Sequence, residues 1–175
     1  MNQKLLAGRH SEGVSWYAAY TRARHEKRVA QNLAERQVNC FLPVYRSLRR
    51  WKDRRKQLEL ALFPSYVFVR IAHENWLQVL KVPSVVSLVS CNGQPVPIPD
   101  DEINVLQRGL GGNIHVEPHP YLTAGRRARV KNGPLTGAQG ILVRRKNNLR
   151  LVLSVELLMR SLAVELDEED LEPLT

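Results

Sequence analysis

The chain has 175 residues, 43% of them hydrophobic, which suits one medium domain or two small ones and excludes a disordered chain. Its net charge of +9 is unevenly held: residues 1–116 carry 17 Lys+Arg against 9 Asp+Glu, whereas residues 117–175 carry 9 against 8. A polyanionic partner is therefore expected for the N-terminal portion only.

Met1 to Gly13 has one lysine and a short Leu5-Leu6-Ala7 patch, too little apolar length for a secretory signal. No apolar run approaches the roughly 20 residues of a membrane helix. A cytosolic protein with no membrane partner is expected, its residues 1–14 forming a flexible tail. Ser15 to Tyr20 reads as a first strand, and Thr21 to Arg24 turns the chain into a helix. From His25 to about Gln37, Val29, Ala30, Leu33 and Ala34 fall at helical spacing, with Arg24, Lys27, Arg28, Gln31 and Glu35 on the other face. Cys40 to Leu48 is strand-like but interrupted by Pro43. Arg49 to Lys56 is too charged for a core and fits a basic hairpin tip. Leu58 to Leu62 leads through Phe63-Pro64 into a strong strand over Ser65 to Ile71. A short helix over Glu74 to Leu80, a strand over Val85 to Val89 and a turn at Asn92-Gly93 follow. Pro99-Asp100-Asp101-Glu102 opens a last helix, acidic where the helix dipole favours negative charge, and Gly109 to Gly112 ends it. The order β-α-β-β-α-β-α is ferredoxin-like with an added helix, and predicts an antiparallel sheet with helices on one face.

Residues 111–121, with Gly111-Gly112 and Pro118 and Pro120, read as a linker. Beyond it Leu149, Leu151, Leu153, Val155 and Leu157 alternate at period two, as do Leu162, Val164 and Leu166, and Asn147-Asn148 reads as a tight turn. Four or five short strands in residues 122–175 imply a small β-barrel with no stable helical form. The acidic end, Glu165 to Glu172, reads as a solvated edge strand and terminus. The fold class is α+β, with domains at 15–110 and 122–175. Cys40 and Cys91 lie outside any paired motif and read as reduced, packed thiols.

No catalytic signature is present. His115 and His119 have a ligand-like spacing, but no cysteine or second pair lies near them in the sequence. There is no phosphate-binding loop, nucleophile elbow or zinc-protease motif. The expectation is no enzyme, no metal and no cofactor.

Two strings carry functional information. Gly133-Pro134-Leu135-Thr136-Gly137, with Gly125 and Gly140 around it, combines residues that permit left-handed backbone with one that fixes φ. It resembles the KOW motif of elongation factors and several ribosomal proteins. Leu62-Phe63-Pro64-Ser65-Tyr66-Val67-Phe68-Val69 is a strand entered through proline and carrying three aromatics, read either as core or as a protein-binding cluster. With Trp16-Tyr17 and Tyr20 it is similar to the NGN domain of the NusG/RfaH family, and Leu33 to Pro43 is similar to RfaH-type relatives. An NGN-like half before a KOW-like half covers nearly the whole chain. The alternative of a KOW-containing RNA-binding or ribosome-assembly protein leaves the NGN-like half unexplained.

The resemblance implies a ferredoxin-like NGN domain followed by an SH3-like KOW barrel, in a monomeric transcription elongation and antitermination factor. It implies that Tyr20, Phe63, Tyr66 and Phe68 dock on the clamp helices of RNA polymerase's largest subunit and reduce pausing. Arg22, Arg24, His25 and Arg28, with Arg50 and Arg54 of the hairpin, would approach upstream or non-template DNA. Gly133, Pro134, Leu135, Thr136 and Gly137 would form a recruiting loop for the termination factor Rho or a ribosomal small-subunit protein. Leu135 stands where housekeeping members commonly have an aromatic; with the Lys/Arg enrichment of the N-terminal portion and the RfaH-like Leu33 to Pro43 it tilts the reading toward a specialised member, of the UpxY kind, with the housekeeping factor as the alternative.

Overall fold

The protein is described by a computed structural model covering residues 13–51, 54–111, 114–120, 125–145 and 148–174. Side chains at 48–51, 54–56, 144, 145, 148, 149 and 156 lie outside that description. Most of the expected tail, the hairpin tip Lys52-Asp53, the linker residues 112, 113 and 121, and Asn147 of the expected turn also lie outside the described residues.

In chain order the elements are β1 (Val14–Thr21), α1 (Glu26–Glu35), β2 (Asn39–Phe41), β3 (Val44–Trp51), β4 (Arg54–Ala61), β5 (Tyr66–Ala72), α2 (Trp76–Leu80), β6 (Val85–Leu88), β7 (Ser90–Cys91), β8 (Gln94–Pro95) and α3 (Asp100–Gly111). Then come β9 (Val116–His119), β10 (Arg127–Val130), β11 (Gln139–Arg145), β12 (Asn148–Val155), β13 (Arg160–Glu165) and β14 (Leu171–Pro173). Two compact units form, and they do not follow chain order. One holds the described residues up to Leu42 together with Ser65–Ile103; the other holds Pro43–Pro64 and the described residues from Asn104 onward.

The first unit is built on the antiparallel sheet β2-β5-β1-β6. This is the ferredoxin-like order expected from the sequence, the β3–β4 hairpin falling between β2 and β5 in the chain. One sheet face carries Tyr17, Ala19, Val67, Val69, Ile71 and Leu88, packed with Val29 and Leu33 of α1 and Val79 of α2. Val29, Leu33, Val67, Val69 and Val79 are fully buried, each contributing about 1.5–3 kcal/mol by leaving water. Residues pointing to the opposite face are Ala18, Tyr20, Tyr66 and Phe68, with Ala18 opposite Phe68 and Tyr20 opposite Tyr66. Cys40 is half-buried, and burial pushes its thiol pKa up. Cys91 is exposed: it lies in the two-stranded β7–β8 ribbon beside the Asn92-Gly93 turn, so only Cys40 fits the expected packed thiol.

In the second unit β3 and β4 pair from Val44↔Ala61 to Trp51↔Arg54, and the Leu62 N–H donates to Pro43 O at 2.8 Å to close the base. The barrel sheet runs β14-β10-β11-β12-β13-β9. Leu142, Leu151, Val164 and Val116 lie across one another on a single face, and Leu153 faces Leu162. On that face Leu106, Gly109 and Leu110 of α3 meet Leu135, Leu153, Leu162 and Val164, leaving a void of only about 10 Å³. Strand β9 falls inside the stretch read as a linker. It pairs with β13 at the sheet edge, where Pro118 is tolerated. The acidic end contributes the opposite edge strand, β14, against β10.

Candidate functional site

Three loops of the first unit meet at one end of its sheet. The Thr21 N–H donates to Ser65 O at 2.8 Å, and the Arg22 N–H donates to Ser84 O at 2.9 Å. His25 Nδ1 and Ser84 Oγ are hydrogen-bonded at 2.8 Å. Each loop holds a non-glycine residue in left-handed backbone: Arg24 at φ 65°, Ser65 at φ 68° and Ser84 at φ 73°. Such conformations cost on the order of 1–2 kcal/mol per residue and persist where surrounding bonds over-determine them. Glu26, the first residue of α1 and only 8% exposed, supplies part of that determination. Its Oε1 accepts the Ser65 N–H at 2.7 Å and the Arg24 N–H at 3.3 Å.

The loops flank an aromatic pair. Tyr20 ends the regular part of β1 and Tyr66 begins β5, and their rings are 5.5 Å apart and tilted by 53°. Tyr20 is 41% exposed and Tyr66 half-buried. Next in the chain come Arg22 and Arg24, both exposed, and Arg28 is exposed on α1; His25 is half-buried on Ser84. The structure thus brings Tyr20, Tyr66, Arg22, Arg24 and His25 to one end of one sheet.

Other residues singled out in the sequence sit differently. Phe68 is fully buried and stacks on Phe41 at 6.1 Å, and Phe63 is 1% exposed. Alternation alone misses this, because Val67, Phe68 and Val69 are buried in succession: both faces of β5 are covered. Arg50 and Arg54 belong to paired strands flanking the hairpin tip, and their side chains lie outside the described residues. His115 Nε2 is 3.8 Å from Glu117 Oε2, and His119 Nδ1 is hydrogen-bonded to Pro120 O. Among the described residues no cluster of three or more His, Cys, Asp or Glu could hold a metal ion, and no helix is long and apolar enough to cross a membrane.

The barrel turn is tightly specified. Gly133 and Gly137 have φ of 85° and 86°, and a Cβ on either would meet nothing within 4 Å, so backbone conformation and not space requires glycine there. The Thr136 hydroxyl donates to Gly133 O at 2.6 Å, and the Gly137 N–H donates to Val130 O at 2.8 Å. Gly133, Pro134, Thr136 and Gly137 are exposed. Leu135 is 1% exposed, and its Cδ2 would be 3.0 Å from a Cβ on Gly109 of α3. It therefore fills the barrel core against α3, whereas the sequence motif suggests a partner-facing position.

Glu26 gives no sign of its role in the sequence. An acidic residue in a first helical turn is ordinary, and nothing in the string pairs it with Ser65, 39 positions away.

Comparison with known proteins bears on the same segments. Residues 14–107 match the family model described as transcription termination factor NusG. The chain is 27% identical over 173 residues to the transcription termination/antitermination protein NusG of Lactococcus lactis, covering 91% of this chain and 92% of that one. It is 22% identical over 174 residues to the NusG of Helicobacter pylori, covering 92% and 99%. A solved structure, "Domain interaction in Thermotoga maritima NusG", matches with a TM-score of 0.58 at 23% identity, over 93% of this chain and 98% of that one, which supports the fold. The matched residues 14–107 span the sheet, its three converging loops and the Tyr20–Tyr66 pair, and the chain belongs to the NusG family of transcription termination and antitermination factors.

Proposed function

We propose that this chain is an elongation and antitermination factor that binds the clamp helices of RNA polymerase's largest subunit through an NGN domain, residues 15–110, and thereby reduces pausing. The observation that carries this reading is the Tyr20–Tyr66 pair. A 41% exposed tyrosine braced by a second ring offers a large apolar surface at low entropic cost, the composition of a protein-binding hot spot. Phe68, buried on the tyrosines' face of the sheet, lies next to Tyr66 along β5. Phe63 is buried as well, and neither phenylalanine touches the partner. Binding of this kind biases the polymerase toward its forward-moving conformation without any chemistry.

The exposed Arg22, Arg24 and Arg28 then face upstream or non-template DNA, with His25 positioned by Ser84. Arg50 and Arg54 of the hairpin supply further positive charge to the same nucleic acid. The barrel, residues 122–175, recruits a second partner, Rho or a ribosomal small-subunit protein, through the exposed Gly133, Pro134, Thr136 and Gly137. Leu135 serves that loop from within.

Binding of the full chain to RNA polymerase core enzyme tests the reading. Tyr20→Ala is expected to weaken binding by about 2 kcal/mol, the scale of an aromatic anchor. Binding that is absent in the wild type, or unchanged in Tyr20→Ala and Tyr66→Ala, would leave the KOW-type RNA-binding alternative standing.

A further inference from the structure

We propose that Glu26 is a positioning residue: its buried carboxylate fastens the backbone beside Tyr20, Arg24 and Tyr66 into one preformed binding platform. The proposal rests on the reading of Tyr20 and Tyr66 as the polymerase-facing pair, and adds the group that holds them in place.

The hydrogen bonds run without a break. Glu26 Oε1 accepts the Ser65 N–H at 2.7 Å, and Ser65 O in turn accepts the Thr21 N–H at 2.8 Å. Ser65 immediately precedes Tyr66, and Thr21 immediately follows Tyr20. One carboxylate therefore acts on the backbone beside both tyrosines. The same Oε1 also accepts the Arg24 N–H at 3.3 Å, so the basic loop is tied to the same anchor. Arg22 is fastened separately, through Ser84 O.

The alternative is that Glu26 only stabilises α1, through favourable charge at its N-terminus. That role requires neither burial nor a bond to a loop 39 residues away. A solvated carboxylate would serve it as well, whereas Glu26 is 8% exposed. N–H···carboxylate bonds are stronger than neutral ones, and they can hold Arg24 and Ser65 in left-handed backbone that neither residue adopts readily. The anchor also constrains what binds there. With Glu26 occupying the start of α1, an approaching phosphate meets a negative charge at that helix end, so nucleic acid is held by the guanidinium groups of Arg22 and Arg24 and not by helix N–H groups.

Three full-length variants test the proposal: Glu26→Ala, Glu26→Gln and Val29→Ala. Val29 is fully buried on the same helix and packs on the sheet face opposite the tyrosines, so its truncation reports plain destabilisation. Binding to RNA polymerase core enzyme, thermal stability and amide exchange at Ser65 are measured for each. Glu26→Ala is expected to weaken binding about tenfold and to speed exchange at Ser65. Glu26→Gln, which keeps an acceptor oxygen, is expected to recover most of both. Val29→Ala is expected to lower Tm without reducing polymerase affinity. Equal losses of binding in Glu26→Ala and Val29→Ala, or unchanged Ser65 exchange in Glu26→Ala, would overturn the proposal. A wild type whose binding is indifferent to Tyr20→Ala would overturn the tyrosine reading and the binding half of this proposal together. Ser65 exchange separates that outcome from failure of the anchor itself.

Discussion

Tyr17 shows how one side chain ties the stability of the first unit to pH. It is 3% exposed, sits in the core under the helices, and its hydroxyl is 3.3 Å from His73 Nδ1. Burial pushes its phenol pKa up; a hydrogen bond with Ser15 pulls the other way, and the nearby Glu74 charge adds to the rise. A phenol with a raised folded pKa favours the folded state fully below the unfolded value, about 10, and that contribution disappears as pH climbs through the folded value. Denaturation measured at rising alkaline pH is therefore expected to show stability falling above about pH 10, and Tyr17→Phe is expected to flatten that fall. An identical alkaline slope in the variant would remove Tyr17 as the cause. Gly140 is a second residue with a large stake. A Cβ there would lie 2.3 Å from the carbonyl oxygen of Val152, a backbone atom on the neighbouring strand that cannot swing aside. Gly140→Ala is expected to cost about 3 kcal/mol, seen as faster amide exchange along β11 and β12.

Among the elements, β9 is held by its backbone pairing with β13 and by one cation. Arg150 on β12 lies directly opposite Glu165 on β13 and also bonds Glu117 on β9, reaching past the small Ala163. Burial alone would lower the arginine pKa, but the two carboxylates more than offset it and hold the group charged. Removing the cation leaves two partly buried carboxylates facing each other, a loss of about 3 kcal/mol when one side of a buried ion pair is deleted. Arg150→Met is expected to release β9 first, and amide exchange at Val116–His119 should rise ahead of the rest of the barrel; simultaneous loss of all strands would refute the staple. This element also marks the limit of what the string discloses. Period-two leucines give β12 and β13 away, the spacing of Val29 and Leu33 gives α1, and the run of charge between two strands gives the β3–β4 hairpin. Strand β9 has only four residues, one of them proline, and its partners lie more than 40 positions away, so no local pattern announces it. The same holds at the site. Tyr20 and Tyr66 are legible as aromatics at strand ends, but burial of Phe63, Phe68 and Leu135 depends on what covers them, and Glu26 works through a loop distant in sequence.

For the whole molecule, the distribution of charge is the property with the widest consequence. The excess of Lys+Arg lies in residues 1–116, at 17 against 9, while residues 117–175 are nearly balanced at 9 against 8. Two of the barrel's arginines are also engaged: Arg129 with Glu172, and Arg150 with Glu117 and Glu165. Arg22 and Arg24 stand exposed in the loop that follows Tyr20, and Arg28 is exposed on α1. Nucleic-acid affinity of the full chain should therefore arise from the N-terminal residues and follow counterion release. On a DNA duplex with an unpaired bubble, the logarithm of affinity is expected to fall linearly with the logarithm of salt concentration. The Arg22→Gln/Arg24→Gln variant should reduce that slope by about 2, one for each phosphate no longer neutralised. The Arg126→Gln/Arg127→Gln variant removes two exposed charges from the barrel, the same formal change, and should leave the slope as it was. Equal effects of the two pairs would mean that net charge alone attracts DNA. An effect confined to the second pair would move the nucleic-acid surface to the barrel and favour the KOW-type RNA-binding alternative. An effect confined to the first pair would make DNA binding and polymerase docking neighbouring functions of one sheet end, fastened by one carboxylate.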